Sequence, residues 1–553
     1  MPGYGKTHGS RKNCCPKSAA GWRIWSGSEF SAFRHRRRGS FVLAPTAASG
    51  SCPGTGGGEG RRRVSMANDG QVSQGVAARP RRRFTPSVDG SWGAEARALF
   101  LLGAPMALTQ IVQFSINAID VLMIGRLGPD ALAAASLGLL FFFSAWLVGF
   151  GPAMAISPLV SQSIGAAAGK GGADEATADD VRRSVRMGLW SVAMLFPFVF
   201  AAYAVAPQLC RALGQPAELA DMAGPYIIAL APGWPFAVGI LILRNFLAAI
   251  ERTRFPLFVV VCTTLLNAFL NWLLIFGAFG APKLGLLGAG IASSLSNIAG
   301  FAALALFCRV DERARPYGIL QEAFLPDWAR LKVVVALGWP IAVATAFEGL
   351  LFNACILLMG RIGVDEMAAY QVALNVAAMA FMSAFGFAIA GGVRVGLHEG
   401  AGDRDGVRRA AALSVAFSVV AIAGFAGVVF FAPAAIGALY LRVEDPQNAA
   451  VLPLVASFLR IAALFMIFDA IQVAAHQALR GLKDVRAPMV ITGVAYWGVG
   501  FPLAAYLGLG TPVGAEGVWW GLLTSLGVAA ALLSWRLYRR TRPLWVENSA
   551  QPV

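Results

Sequence analysis

Apolar runs of about 20 residues, enough to cross a bilayer, recur along this 553-residue chain from about Ala96 to Tyr538. They predict spans at 97–124, 131–160, 182–206, 222–250, 255–279, 286–309, 331–359, 366–396, 409–432, 450–479, 487–508 and 515–538. Each is expected to be a helix, because lipid cannot satisfy a bare backbone. Short connectors hold turn residues: Gly169 to Gly172, Gly280-Ala281-Pro282 and Gly400 to Gly406. The longest internal connector, 310–330, is polar and separates six spans (96–309) from six more (331–538).

The two halves repeat one another. Gly125-Arg126-Leu127-Gly128-Pro129-Asp130 returns 235 positions later as Gly360-Arg361-Ile362-Gly363-Val364-Asp365. Leu102-Gly103-Ala104-Pro105 matches Leu337-Gly338-Trp339-Pro340 at the same offset, which aligns Gln113 with Glu348. Two similar hydrophobic halves point to a transporter that holds its substrate between them. With six spans in each, the halves are parallel copies related by an axis along the membrane normal.

Charge changes the picture at the ends. Of the net charge of +16, residues 1–95 contribute +11, from sixteen Lys and Arg against Glu29, Glu59, Asp69, Asp89 and Glu95. That stretch has too little apolar sequence for a core and reads as a disordered basic tail. Met66 is an alternative start inside it. The tail contains no signal-peptide core, and a solvated tail is favoured over nucleic-acid binding. Residues 539–553 form a second tail. Connectors on the N-terminal side carry about four Lys and Arg for each one opposite, which by the positive-inside rule places both termini in the cytoplasm of a plasma (bacterial inner) membrane. Four of the seven cysteines lie in or beside spans, where they act as small apolar residues; no disulfide framework or zinc site is expected.

Few carboxylates lie at depth: Asp120 late in span one, Glu348 in span seven and Asp469 in span ten. A charged acid at a helix centre costs about 2.5–3.5 kcal/mol on the insertion scale, so such residues face a cavity or the bundle interior. Asn267 and Asn271, four apart, share one face of span five. Gln113 and Asn117 share a face of span one, with Gln110 nearby, and Gln472 lies three after Asp469. Gln371 and Asn375, early in span eight with Tyr370, are further candidates for the cavity lining. Arg244, Arg394, Arg460 and Arg480 read as snorkelling or acid-paired residues, Glu251 as the partner of Arg252 or Arg254, and His398 and His476 as structural. No nucleophile elbow, P-loop or HExxH sequence points to an enzyme.

Six segments, in order, resemble the multidrug and toxic compound extrusion (MATE) transporters, and specifically their NorM-like branch. They are Ile119-Asp120-Val121-Leu122-Met123-Ile124-Gly125, Ser157-Pro158-Leu159-Val160-Ser161-Gln162, Tyr370-Gln371-Val372-Ala373-Leu374-Asn375, Arg394-Val395-Gly396, Phe468-Asp469-Ala470-Ile471-Gln472 and Leu479-Arg480-Gly481-Leu482-Lys483-Asp484. The resemblance implies an all-α membrane fold of twelve helices in two six-helix lobes around a cavity that opens alternately to either side. It implies an N-lobe polar site at Asp120, Asn267 and Asn271, and a C-lobe cation site, for Na⁺ or H⁺, at Glu348 and Asp469. Some sodium-coupled relatives carry a tyrosine one turn before the span-ten acid. Phe465 stands there in this chain, which removes one oxygen ligand for Na⁺ and keeps H⁺ open.

The expected function is therefore export of organic, cationic or amphipathic compounds and drugs by a monomer in the bilayer. No cofactor is expected, and Na⁺ or H⁺ is the coupling ion. A lipid-linked saccharide flippase is the alternative, disfavoured because the deep charges read as acidic. A membrane enzyme is the third reading.

Overall fold

The computed structural model describes residues 90–170, 174–441 and 450–542. Met66, the three-arginine clusters, three of the seven cysteines, Arg442 and the end of the C-terminal tail fall outside them. The described residues form an all-helical fold with twelve helices long and apolar enough to span a membrane: α1 (Trp92–Gly125), α2 (Pro129–Ala168), α3 (Glu175–Ala204), α4 (Ala217–Ala249), α5 (Arg254–Phe276), α6 (Leu286–Val310), α7 (Trp328–Ile362), α8 (Val364–Ala401), α9 (Arg404–Phe431), α10 (Val451–Gly481), α11 (Arg486–Gly510) and α12 (Ala515–Thr541).

Local chemistry sets the helix ends where hydropathy does not. The third helix begins at Glu175, seven residues before its apolar run, because Asp174 caps it: its carboxylate accepts from the Thr177 amide at 2.8 Å. Asp327 caps α7 in the same way, accepting from the Arg330 amide at 3.0 Å. The first helix starts at Trp92, so Glu95, counted above with the tail, lies in its first turn and is buried. Two short helices, Ala206–Ala212 and Pro433–Tyr440, precede α4 and α10. In α11, Val494–Gly500 widens into a π-helical turn. None of these three departures has a signature in apolar periodicity.

The lobes meet through matched contacts of α1 and α2 with α8 and α7. A Cβ at Gly165 of α2 would strike the Leu397 carbonyl, and one at Gly400 of α8 would strike the Gln162 carbonyl. Gly165 and Gly400 are 235 positions apart, as are Gln162 and Leu397, so this is one contact made twice about the pseudo-two-fold axis. Only glycine permits so close a backbone approach. Gly151 and Gly338 likewise bring α2 onto α7.

Burial follows this arrangement. The later part of α2, Gly149–Ser161, and the later part of α8, Gly386–His398, are buried without interruption. No residue of α1 from Gln110 to Met123 is buried. The lobes are therefore closed on the side where α1 begins and apart on the side where it ends.

The connector between the halves is strapped to α3. Arg183 pairs with Asp327 at 2.5 Å, Arg330 with Asp180 at 2.9 Å, and the Trp190 indole donates to the Ala323 carbonyl at 2.8 Å.

Candidate functional site

Where the lobes part, a cavity of about 490 Å³ opens between them, within the range typical of small-molecule sites. Both lobes line it. Gln110, Gln113, Asn117 and Asp120 come from α1, Arg244 from α4, Asn267 from α5, Glu348 from α7, and Gln472, His476 and Arg480 from α10. Phe142, Trp146, Phe352 and Phe385 supply apolar and π surface.

On the N-lobe side, a chain of amides holds Asp120. The Asn271 amide donates to Asp120 at 2.5 Å and to the Asn267 carbonyl oxygen at 3.2 Å, and the Asn267 amide reaches Ser293 Oγ at 3.4 Å. The four-residue spacing on α5 stacks the two asparagines, and Asn271 sits fully buried behind the cavity wall. Ser293, which extends this chain, carries no signal in the sequence beyond its polarity.

On the C-lobe side, Glu348 is half-buried and lines the cavity. Asp469 lies behind it, 5 % exposed and within electrostatic reach. Gln472 donates to the Tyr496 hydroxyl at 2.9 Å, and the π turn is what carries Tyr496. Asp469 Oδ1 and Gln472 Oε1 have no hydrogen-bond partner among the described residues. Phe465 is buried edge-on against Phe352 and Trp519 and offers no oxygen.

Two expected lining residues are elsewhere. Gln371 and Asn375 are exposed, and Asn375 accepts from the Tyr440 hydroxyl at 3.1 Å in the short helix before α10. Cavity contact on α8 begins at Phe381 and Met382. At 1.5 Å per residue, Asn375 is about 10 Å nearer the start of α8 than Met382. A helical face says nothing about depth, and at that depth the enclosure has ended.

The basic residues need the larger correction. Arg244 and Arg480 do not snorkel: both line the cavity, as does His476. Arg244 donates to Gln113 and Gln110, each at 2.6 Å. Arg480 donates to Gln477 at 3.3 Å and lies within electrostatic reach of Glu348. Glu251 pairs not with Arg252 or Arg254 but with Arg394 at 2.9 Å, while Arg252 pairs with Asp311 at 3.2 Å. Arg394 also pairs with Glu95, which lies 3.0 Å from one ring nitrogen of His398, with Asp403 at 3.1 Å from the other. This buried network ties α1 and the α4–α5 turn to α8 on the closed side.

A second register relates two of the cavity bases. Glu251 and Lys483, 232 positions apart, both have left-handed backbone, with φ of 58° and 57°. The turns they occupy are equivalent: Arg252 N donates to Leu247 O and Asp484 N to Leu479 O. On that register Arg244 is the counterpart of His476. The repeated Arg254-Phe255-Pro256 and Arg486-Ala487-Pro488 carry the signal, which a single offset of 235 conceals.

The comparisons with known proteins fall on this geometry. The MatE family model matches residues 105–273 and 340–506, one match in each half. Two relatives, each named "Probable multidrug resistance protein NorM", are from Mesorhizobium japonicum (38% identical, covering 82% of this chain and 95% of that one) and Rhizobium meliloti (39%, with 82% and 95% covered). The crystal structure of the eukaryotic MATE transporter AtDTX14 superposes with a TM-score of 0.70 at 22% identity, covering 82% of this chain and 99% of that one. The chain belongs to the MatE family; it is a multi-pass membrane transporter and not an enzyme.

Proposed function

We propose that this transporter exports organic, cationic or amphipathic compounds, drugs among them, in exchange for Na⁺ or H⁺. Both termini lie in the cytoplasm of a bacterial inner membrane. The described conformation then faces outward, with the cavity open to the exterior. The names of the relatives support drugs as cargo.

The observation that carries the reading is Glu348 at the cavity wall, backed by the unpartnered oxygens of Asp469 and Gln472. An acid so placed attracts an organic cation when ionised. Once it binds a proton, or shares Na⁺ with Asp469 and Gln472, the attraction is cancelled and the cargo is released. Exchange requires only that ion and cargo favour different states of the rocking lobes. Asp120, held by Asn271, offers a second acid in the N-lobe.

Glu348→Gln, expressed at wild-type level in cells lacking other pumps, is expected to abolish ethidium efflux; efflux at the wild-type rate defeats the mechanism. Proteoliposomes given ΔpH or ΔNa⁺ alone identify the ion. A lipid-linked saccharide flippase gains some support from Arg244 and Arg480, but Asp120, Glu348 and Asp469 would repel a pyrophosphate. Tight binding of an anionic lipid pyrophosphate would favour that alternative.

A further inference from the structure

The two halves place their charge on different members of one matched pair in the cavity. In the first half the pair is Gln113 on α1 and Arg244 on α4. In the second the corresponding pair, by the 235 and 232 registers, is Glu348 on α7 and His476 on α10. All four line the cavity. One wall thus presents a guanidinium held by neutral amides, and the other a carboxylate and an imidazole.

Arg244 is held but not neutralised. Its two terminal nitrogens donate to Gln113 Oε1 and Gln110 Oε1, each at 2.6 Å. These amide carbonyls fix the plane of the guanidinium and leave its charge. Among the described residues no carboxylate lies within ion-pair distance of it. Asp120 is seven residues beyond Gln113, about 10 Å along the helix, and is engaged by Asn271. The other cavity arginine, Arg480, has Glu348 within electrostatic reach. Two of the five N–H donors of Arg244 are used, so three remain. A guanidinium at membrane depth without a counter-ion is costly, and its planar fork matches a carboxylate.

We propose that Arg244, oriented by Gln110 and Gln113, is an anion anchor in the cavity that selects amphipathic cargo bearing a carboxylate. The cationic end of the same molecule lies towards Glu348. This rests on the cavity being the cargo site, as in the reading above, and adds the residue that discriminates a zwitterion from a simple cation.

Rhodamine 110, with a free carboxylate, and its methyl ester, rhodamine 123, form a matched pair. Their affinities for the full-length protein in nanodiscs are read by fluorescence polarisation. In Arg244→Gln the preference for acid over ester is expected to fall by roughly tenfold, the scale of one charge-assisted hydrogen-bond pair. Arg244→Lys, which keeps the charge and loses the fork, should fall between. A preference unchanged within about twofold in Arg244→Gln, on that same scale, overturns the proposal. If Arg244→Gln binds neither dye, Gln113→Glu decides. It gives Arg244 an internal counter-ion, and the acid preference must fall there too or the proposal fails. Wild-type proteoliposomes that move neither dye, while the binding preference still falls in Arg244→Gln, would overturn the export reading and support the anchor. Both dyes transported with an unmoved preference would do the reverse.

Discussion

At the residue scale, burial converts small chemical differences into large ones. Arg394 is 2 % exposed and holds Glu95 from α1 and Glu251 from the α4–α5 turn. Removing one member of a buried ion pair costs about 3–5 kcal/mol, because the partner is left charged and unpaired. Arg394→Gln is therefore expected to lower thermal stability sharply, and adding Glu95→Gln should recover part of the loss. Calorimetry of the purified protein across the double-mutant cycle measures this; strictly additive losses would show that the pair is not coupled. Depth and acidity of Glu348 and Asp469 were legible in the sequence, as polar letters in apolar runs. That Arg244 and Arg480 turn inward was not, because a long cationic side chain near a helix end can reach water in several directions.

At the element scale, end chemistry decides what hydropathy leaves open. Asp327 caps α7, and its carboxyl is held below the ordinary range, chiefly by the Arg330 backbone amide and further by Arg183. Asp327→Ala should cost about 1 kcal/mol. A depressed carboxylate contributes stability that is complete above its unfolded value, about 3.9, and lost as pH falls through the lower folded value. The wild-type advantage over Asp327→Ala should therefore persist at neutral pH and shrink below about pH 4. Melting curves of the two proteins across that range test the sign. All twelve spans were legible to within a few residues at most ends. The π turn in α11 was not, since apolar periodicity does not register one widened turn within a span.

At the scale of the whole molecule, the closed side must come apart if the cavity is to open there. The glycine contact repeated at Gly165 and Gly400 is the tightest point of that closure. Forcing a side chain into such a site costs about 1–3 kcal/mol, which shifts a two-state equilibrium by roughly tenfold or more. Gly400→Leu should thus favour the separated state. A cysteine placed at the buried Ser161, beside Gly396, should be alkylated about tenfold faster in the Gly400→Leu background. An unchanged rate would mean that this seam does not open.

The order of apolar runs and the repeat determined, by themselves, the helix number, the two-lobe architecture and the depth of the acids. These follow from solvation, and the bilayer imposes that on every residue one at a time. Tertiary structure alone decided which polar groups meet. It brought Arg394 to Glu95 across 299 positions, set Gln371 and Asn375 outside the enclosure, and turned Arg244 onto the glutamines of α1. Contacts between helices depend on rotation and depth together, and both are fixed only when all the helices pack at once.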